Sequence, residues 1–144
     1  MAAISDFTFF HPLRVRWAEC DAQGIVFNVN YFLYFDVAMT EYLRAMGVEG
    51  ASMLEFFTVR AEADYRGSAQ FDEEIEIGVR AARLGRTSMT FEMIIVRGGE
   101  VLTEGAMTYV NTEKDTKTPC PLPEAFTATI LDFEKTAPQT RAHA

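Results

Sequence analysis

The sequence contains little cysteine, little histidine and no long apolar run, and each shortage excludes a class of protein. Its two cysteines and two histidines (Cys20, Cys120, His11 and His143) are too few for a disulfide framework and lack the spacing of a metal site. No apolar run approaches the roughly 18 residues that a membrane span needs. The N-terminus has no basic region followed by an apolar one, so we expect no signal peptide and a cytoplasmic protein.

Positive charge is also scarce. Thirteen Lys and Arg residues stand against 21 Asp and Glu residues, which gives a formal net charge of −8. Nucleic acids and anionic membranes select positive surfaces, so we expect neither as a partner. The sequence contains no phosphate-loop or dinucleotide motif, and we expect neither a metal nor a cofactor.

What the sequence does contain is the material of one small globular domain. It has 144 residues, of which 49% are hydrophobic and 24% charged, an ordinary composition for a protein with a packed core. We predict a single domain over residues 1–135, followed by a disordered tail over 136–144.

Two periodicities predict the secondary structure. Apolar residues at intervals of three to four, including Tyr31, Ala38 and Tyr42, predict a long and largely buried helix over residues 30–47. Asn28 or Asn30 is its expected N-cap. Alternation predicts strands over 7–17, 56–66, 71–83, 87–97 and 101–111, with a tight hairpin at Gly98-Gly99. A short helix is predicted over 123–133. Together these elements indicate an α+β domain, with an antiparallel sheet of about five strands folded around one long helix.

The candidate chemistry is concentrated where the first strand leads into the long helix. Asp21 lies in a glycine-containing loop directly before the predicted helix start. The free N–H groups of a helix start carry partial positive charge and polarise a carbonyl held there, while a carboxylate attacks it or activates water. This arrangement predicts hydrolysis of an activated acyl group. A turn-capping role for Asp21 is the alternative that the residues alone leave open.

The same stretch carries a family resemblance. The run DAQGIV at 21–26, followed by Asn30-Tyr31 and the long helix, resembles the signature of hotdog-fold thioesterases, in particular the 4-hydroxybenzoyl-CoA thioesterase family of acyl-CoA thioesterases. A weaker likeness continues through residues 83–111. The resemblance implies a hotdog fold, an acyl-CoA substrate, and a homodimer or homotetramer with its active site at the subunit interface.

The resemblance also implies roles for particular residues. Asp21 is expected to be the nucleophile or the general base, Asn28 to offer its backbone N–H to the thioester carbonyl, and Gly24 to let the backbone approach the substrate. Many relatives carry histidine at the position of Asn28, so we do not expect a mechanism that uses an imidazole. The residues expected to bind the substrate are Phe27, Asn30, Tyr31, Arg83 and Arg86. The two arginines are expected to bind the nucleotide phosphates.

Other carboxylates and other functions remain open. The competing carboxylates are Glu19, Asp36 and Glu41, while Cys20 has no histidine nearby in sequence and is expected to be a structural thiol. A hotdog hydratase or dehydratase would need a histidine paired with an acid. A non-catalytic acyl-CoA-binding module would bind without releasing thiol.

The acyl group is undefined by the sequence. We expect the depth of an acyl pocket to depend on Phe27, Phe57, Met89 and Met107. An acidic chain is a poor docking surface for an acidic acyl carrier protein, so we expect coenzyme A as the carrier.

Overall fold

The structure, a computed structural model, describes residues 2–48 and 55–140. Its main elements are a six-stranded sheet and one long helix packed against it. In chain order the elements are β1 (Phe9–Arg14), α1 (Asn30–Ala45), β2 (Phe56–Tyr65), β3 (Glu74–Leu84), β4 (Ser88–Arg97), β5 (Glu100–Asn111), α2 (Glu124–Phe133) and β6 (Gln139–Thr140).

The five long strands form an antiparallel sheet in the order β1-β3-β4-β5-β2, and the two-residue β6 pairs in parallel with β3. The strands β3, β4 and β5 follow one another as hairpins. Between β4 and β5, Gly98 and Gly99 have φ values of 54° and 86°. A tight hairpin turn needs this left-handed conformation, so the predicted turn is confirmed.

The core lies between α1 and one face of the sheet. The Tyr42 ring meets the Phe91 ring of β4 edge to face, with centroids 5.5 Å apart. Phe35 lies so close to β5 that a Cβ added to Gly105 would be 2.7 Å from its Cε2 atom. Apolar side chains therefore fill the space between helix and sheet, and the predicted hotdog-like α+β architecture is confirmed.

The first strand is shorter than predicted. β1 ends at Arg14, and residues Trp17–Glu19 form a single 3₁₀ turn. The turn is closed by hydrogen bonds from the Glu19 N–H to the Arg16 carbonyl (3.0 Å) and from the Cys20 N–H to the Trp17 carbonyl (3.1 Å). Because the chain turns here, Trp17 is 67% exposed and packs against the Phe71 ring, although it falls within the strand predicted over residues 7–17.

The C-terminal segment returns to the sheet. The predicted short helix is present as α2, with Pro123 at its N-cap and with Phe126 and Ile130 buried. Within the segment predicted as a disordered tail, Gln139 and Thr140 form β6, while residues 141–144 lie outside the described residues. In the described part of the chain, no helix is long and apolar enough to cross a membrane.

The close contact between α1 and β5 gives a test of the packing. Gly105→Ala would bring a methyl group within 2.7 Å of both Phe35 Cε2 and the Glu62 carbonyl oxygen. Overpacking of this kind costs about 1–3 kcal/mol, and we expect urea denaturation to report a loss of stability in that range. Ala106→Ser, whose side chain points to the opposite face of β5, is the control and should change stability by less than about 0.5 kcal/mol. Equal stability of the Gly105→Ala variant and the wild type would contradict this account of the core.

Candidate active site

A groove of about 350 Å³ opens beside the start of α1. We call it the helix-start groove, and its lining residues are Asp21, Gln23, Ile25, Val26, Asn28, Tyr31, Tyr65, Gly67 and Ser68. Three residues predicted from the sequence, Asp21, Asn28 and Tyr31, therefore share one concave site. The end of β2 and the loop that follows it supply the opposite wall, and none of the residues predicted for the site lies there.

The loop that carries Asp21 is a closed turn. The Asp21 N–H donates to the Ile25 carbonyl at 2.9 Å, and the Gly24 N–H donates to the Asp21 carbonyl at 3.0 Å. Gly24 has a φ of 78°, a conformation that costs an L-residue about 1–2 kcal/mol. Gly24 does not itself line the groove, and a Cβ built on it would meet nothing within 4 Å. Its structural contribution is thus the backbone conformation that closes the turn.

The two oxygens of the Asp21 carboxylate have different surroundings. Oδ1 accepts a hydrogen bond from the Gln23 N–H at 2.8 Å, the short-range contact of an aspartate that caps a turn. Within residues 2–48 and 55–140, no group donates to Oδ2. The side chain is half-buried and lines the groove. One oxygen therefore fixes the orientation of the carboxylate, and the other is available for chemistry.

The start of α1 differs from the predicted capping. The N-cap residue is Val29, which makes no side-chain cap, so neither Asn28 nor Asn30 caps the helix. The Asn30 amide instead donates to the Glu19 carbonyl at 2.8 Å. In the described ranges, the backbone N–H groups of Asn28 and Val29 have no acceptor. In these ranges, the positive end of the α1 dipole thus has an unpaired N–H donor at Asn28, which lines the groove.

Two tyrosines connect the walls of the groove. The Tyr65 hydroxyl, on β2, donates to the Asn28 carbonyl at 3.0 Å. The Tyr31 hydroxyl accepts a hydrogen bond from the Ala69 N–H at 3.0 Å, and the two rings are 5.4 Å apart. Burial raises the pKa of the Tyr31 hydroxyl above its ordinary value, so this group stays protonated at neutral pH. Tyr31 therefore forms a neutral, fixed floor to the groove.

Glu19, a competing carboxylate, is buried beneath the loop. Its carboxylate forms an ion pair with the Arg16 guanidinium, accepts from the Arg16 N–H at 2.8 Å, and accepts from the Tyr34 hydroxyl at 2.8 Å. Burial opposes ionisation of Glu19, but the hydrogen bonds from Arg16 and Tyr34 outweigh it and hold the pKa of this carboxyl below its ordinary value. All its partners belong to the protein, so Glu19 serves to hold the loop.

The remaining candidates lie outside the groove. Asp36 is exposed on α1, and Glu41 pairs with Arg44 on the same helix. The Cys20 thiol donates weakly to the Arg16 carbonyl at 3.7 Å, and burial, followed by the charges of Glu19 and Asp21, raises its pKa. A thiol with a raised pKa is a poor nucleophile, in agreement with the structural role expected of Cys20.

The predicted substrate-binding residues are divided between several places. Phe27 is 48% exposed outside the groove, and Arg86 is exposed in the turn between β3 and β4. Arg83 lines a separate cavity. Met89 and Met107 are buried in the core, so they do not reach the groove. Of the residues described, no histidine lines the groove, and no group of three or more His, Cys, Asp or Glu could hold a metal ion.

Comparison with known proteins gives the family. The sequence profile of the thioesterase superfamily matches residues 23–104, more than half of the chain. The chain belongs to the thioesterase superfamily. The matched range begins two residues after Asp21, and it includes α1 and the strands β2, β3 and β4.

Individual relatives of this thioesterase agree with that assignment. The chain is 28% identical over 104 residues to the acyl-CoA thioesterase YbgC of Haemophilus influenzae. The matched region covers 69% of this chain and 76% of that protein. The chain is 34% identical over 93 residues to a protein of Aquifex aeolicus, covering 62% of this chain and 73% of that protein. The crystal structure of a Thermus thermophilus thioesterase in complex with coenzyme A and Zn superposes with a TM-score of 0.81 at 28% identity, covering 91% of this chain and 97% of that chain.

The buried Glu19 gives the thioesterase a pH-dependent contribution to stability. Because its native pKa lies below the ordinary value of 4.5, this contribution is complete above about pH 4.5 and is lost as the pH falls through the lower native pKa. We expect Glu19→Ala, which leaves the Tyr34 hydroxyl without its acceptor, to cost about 1–3 kcal/mol at pH 7. Urea denaturation at pH 7 and at pH 3 measures the difference, which should shrink at the lower pH.

Glu62→Ala is the matched control for this experiment, because Glu62 is exposed and its one ion-pair partner among the described residues is the exposed Arg60. Its effect should stay below about 1 kcal/mol. A Glu19→Ala penalty that is as small as that of Glu62→Ala, or that is independent of pH, would contradict the anchoring role of Glu19.

Proposed function

We propose that this thioesterase hydrolyses acyl esters of coenzyme A, with Asp21 as its catalytic carboxylate. The observation that carries the proposal is the groove itself. Among the described residues, it combines a carboxylate oxygen without a protein partner and a helix start with unpaired N–H groups. The names of the YbgC relative and of the coenzyme A-bound Thermus enzyme support the choice of substrate class.

The chemistry follows from these two groups. With the thioester carbonyl oxygen near the Asn28 N–H, Oδ2 of Asp21 attacks the carbonyl carbon, the C–S bond breaks, and the thiolate of coenzyme A leaves. Water then hydrolyses the mixed anhydride and restores the carboxylate. In the alternative route Asp21 takes a proton from water, and the hydroxide adds to the same carbon before the C–S bond breaks. Both routes develop negative charge on the carbonyl oxygen, where the helix start stabilises it.

Most of the other predicted residues have a place in this scheme, whereas Arg83 lines a separate cavity. Gly24 gives the loop the turn that holds Asp21 in position, and Asn30 ties the helix start to the loop through the Glu19 carbonyl. Tyr31 limits the depth of the groove available to the acyl group. Phe27 and Arg86, exposed outside the groove, contact the coenzyme A portion, with Arg86 pairing with its phosphates.

A second copy of the chain completes the site in this proposal. In the sheet β2 is an edge strand, with β5 as its one neighbour among the described strands. It exposes Phe57 and Val59, and Leu33 of α1 is also exposed. Free strand edges with apolar side chains favour pairing with another strand, so we propose a homodimer across β2. Tyr65 of the groove belongs to this strand, which brings the partner close to the active site.

The decisive variant for the mechanism is Asp21→Asn. Asparagine keeps an oxygen for the Gln23 N–H but can neither attack nor accept a proton, so we expect kcat to fall by about 10²–10⁴ with the fold intact. Thiol release from short-chain, long-chain and aromatic acyl-CoA esters measures it. Asp36→Asn and Glu41→Gln, which alter the carboxylates outside the groove, should retain activity within a few-fold.

The same assay separates hydrolysis from binding alone. If the wild type binds these esters without releasing thiol, the protein is an acyl-CoA-binding module and the proposed reaction is wrong. If Asp36→Asn or Glu41→Gln abolishes thiol release and Asp21→Asn does not, the catalytic carboxylate comes from α1.

The proposed dimer has its own test. Val59→Lys places a charge on the edge strand β2, and we expect it to raise the dimer dissociation constant by about tenfold or more, because the charge must be desolvated in the interface. Sedimentation equilibrium measures the constant. Leu131→Lys removes an apolar side chain that is also exposed, but on α2, and should leave the constant unchanged. A monomeric wild type, or equal effects of both variants, would argue against pairing across β2.

A further inference from the structure

A second cavity, of about 340 Å³, lies on the face of the sheet that is turned away from α1. Val79, Ala81 and Phe91 belong to the core beneath α1. Arg80 and Glu92 alternate with these residues along β3 and β4, so their side chains point to the opposite face. We call this site the outer cavity, and it is lined by Arg80, Ala82, Arg83, Thr90, Glu92, Ala137 and Gln139. It shares no lining residue with the helix-start groove.

The charge in the outer cavity is positive, although the whole chain carries a net charge of −8. Its lining contains two arginines and one glutamate. Glu92 is already engaged, because its carboxylate pairs with the Arg80 guanidinium and accepts from the Ala2 N–H at 3.3 Å. One guanidinium charge is therefore left without a counterion.

That uncompensated cation is Arg83. Its Nη2 atom donates to the hydroxyls of Ser88 at 3.0 Å and Thr90 at 3.4 Å, both of them neutral groups. Among residues 2–48 and 55–140, no carboxylate forms an ion pair with it. Its side chain is half-buried. Hydroxyl partners hold the guanidinium in place without neutralising it, which leaves a fixed positive charge in a concave site.

Arg80 supplies a second, independent indication. Its side chain is only 9% exposed, and its Nε atom is buried with no acceptor in the described part of the chain. A buried donor that lacks a partner costs about 1–3 kcal/mol, so such groups usually face a ligand or an ordered water. Here the unpaired donor belongs to a residue that lines the outer cavity.

We propose that the outer cavity binds a small molecule that carries an oxyanion, either a phosphate or a carboxylate. A guanidinium fork matches the two oxygens of such a group, and Arg83 is its main ligand. The Arg80 Nε, the Thr90 hydroxyl and the Gln139 amide are the further donors on the lining. The volume is at the lower end of small-molecule sites, which allows for a compact ligand but excludes a whole coenzyme A.

Ligand binding here would act on the C-terminal segment. Gln139 pairs with Arg83 in the short parallel contact between β6 and β3, and Ala137 also lines the cavity. An anion between Arg83 and Gln139 would join this segment to the sheet. Because the outer cavity shares no lining residue with the helix-start groove, the proposed site can be tested without an activity assay.

Calorimetric titration tests the proposal, with inorganic phosphate and acetate as probes and sodium chloride holding the ionic strength constant. We expect saturable binding of at least one probe to the wild type. Arg83→Gln, which removes the charge but can still hydrogen-bond to Ser88 and Thr90, should weaken that binding by about tenfold or more. Arg14→Gln removes an arginine of β1 that pairs with Glu74 and does not line the outer cavity, so this variant should bind as the wild type does.

Nitrogen-15 spectra of the wild type give a second readout that needs no substitution. Phosphate or acetate should shift the Nε resonances of Arg80 and Arg83 and the backbone amides of Ala137 and Gln139. The proposal is overturned by the absence of saturable binding, by equal binding to Arg83→Gln, or by loss of binding in Arg14→Gln. Shifts confined to the helix-start groove would overturn it as well.

Discussion

The buried carboxylate of Glu19 connects the segments that build the helix-start groove. Its side chain accepts hydrogen bonds from Arg16 and from Tyr34 of α1, and its backbone carbonyl accepts from Phe27 and Asn30. One residue thus holds together the chain after β1, the loop that carries Asp21 and the start of α1. The proposed catalytic carboxylate lies two positions further along, so its orientation relative to the helix dipole depends on this anchor. A carboxylate with all its partners inside the protein is well suited to such a task, and poorly suited to chemistry.

Strict periodicity determined which parts of the fold could be predicted. The helix α1 and the strands β3, β4 and β5 were located to within a few residues, because each repeats its apolar positions against one core. The end of β1 was misplaced, since the turn at Trp17 interrupts an alternation that continues in the sequence. The two-residue β6 leaves no periodic signal at all. Its position follows from pairing with Arg83 and Leu84, which is a long-range contact.

The residues of the candidate site could likewise be predicted only in part. Asp21, Asn28 and Tyr31 lie in one short stretch, and the structure gathers them in one groove. Tyr65 and Ser68 lie in the same groove but come from a distant strand end, where the sequence carries only a glycine-serine turn. The sequence predicts Asn28 or Asn30 as the N-cap of α1, but Val29 takes that position. In the described part of the chain, the N–H groups of Asn28 and Val29 have no acceptor.

The pairing pattern of the sheet has a consequence for the order of folding. β3, β4 and β5 are joined by short turns, so their pairing closes small loops, whereas β1 pairs with β3 and β2 pairs with β5 only after much longer loops close. Long loop closures are entropically costly, so we expect the hairpins to form the nucleus and the two edge strands to join late, an order that φ-value analysis measures. Asp21 follows β1 and Tyr65 ends β2, so the groove is completed last. The folding transition state would then hold the paired central strands without an active site.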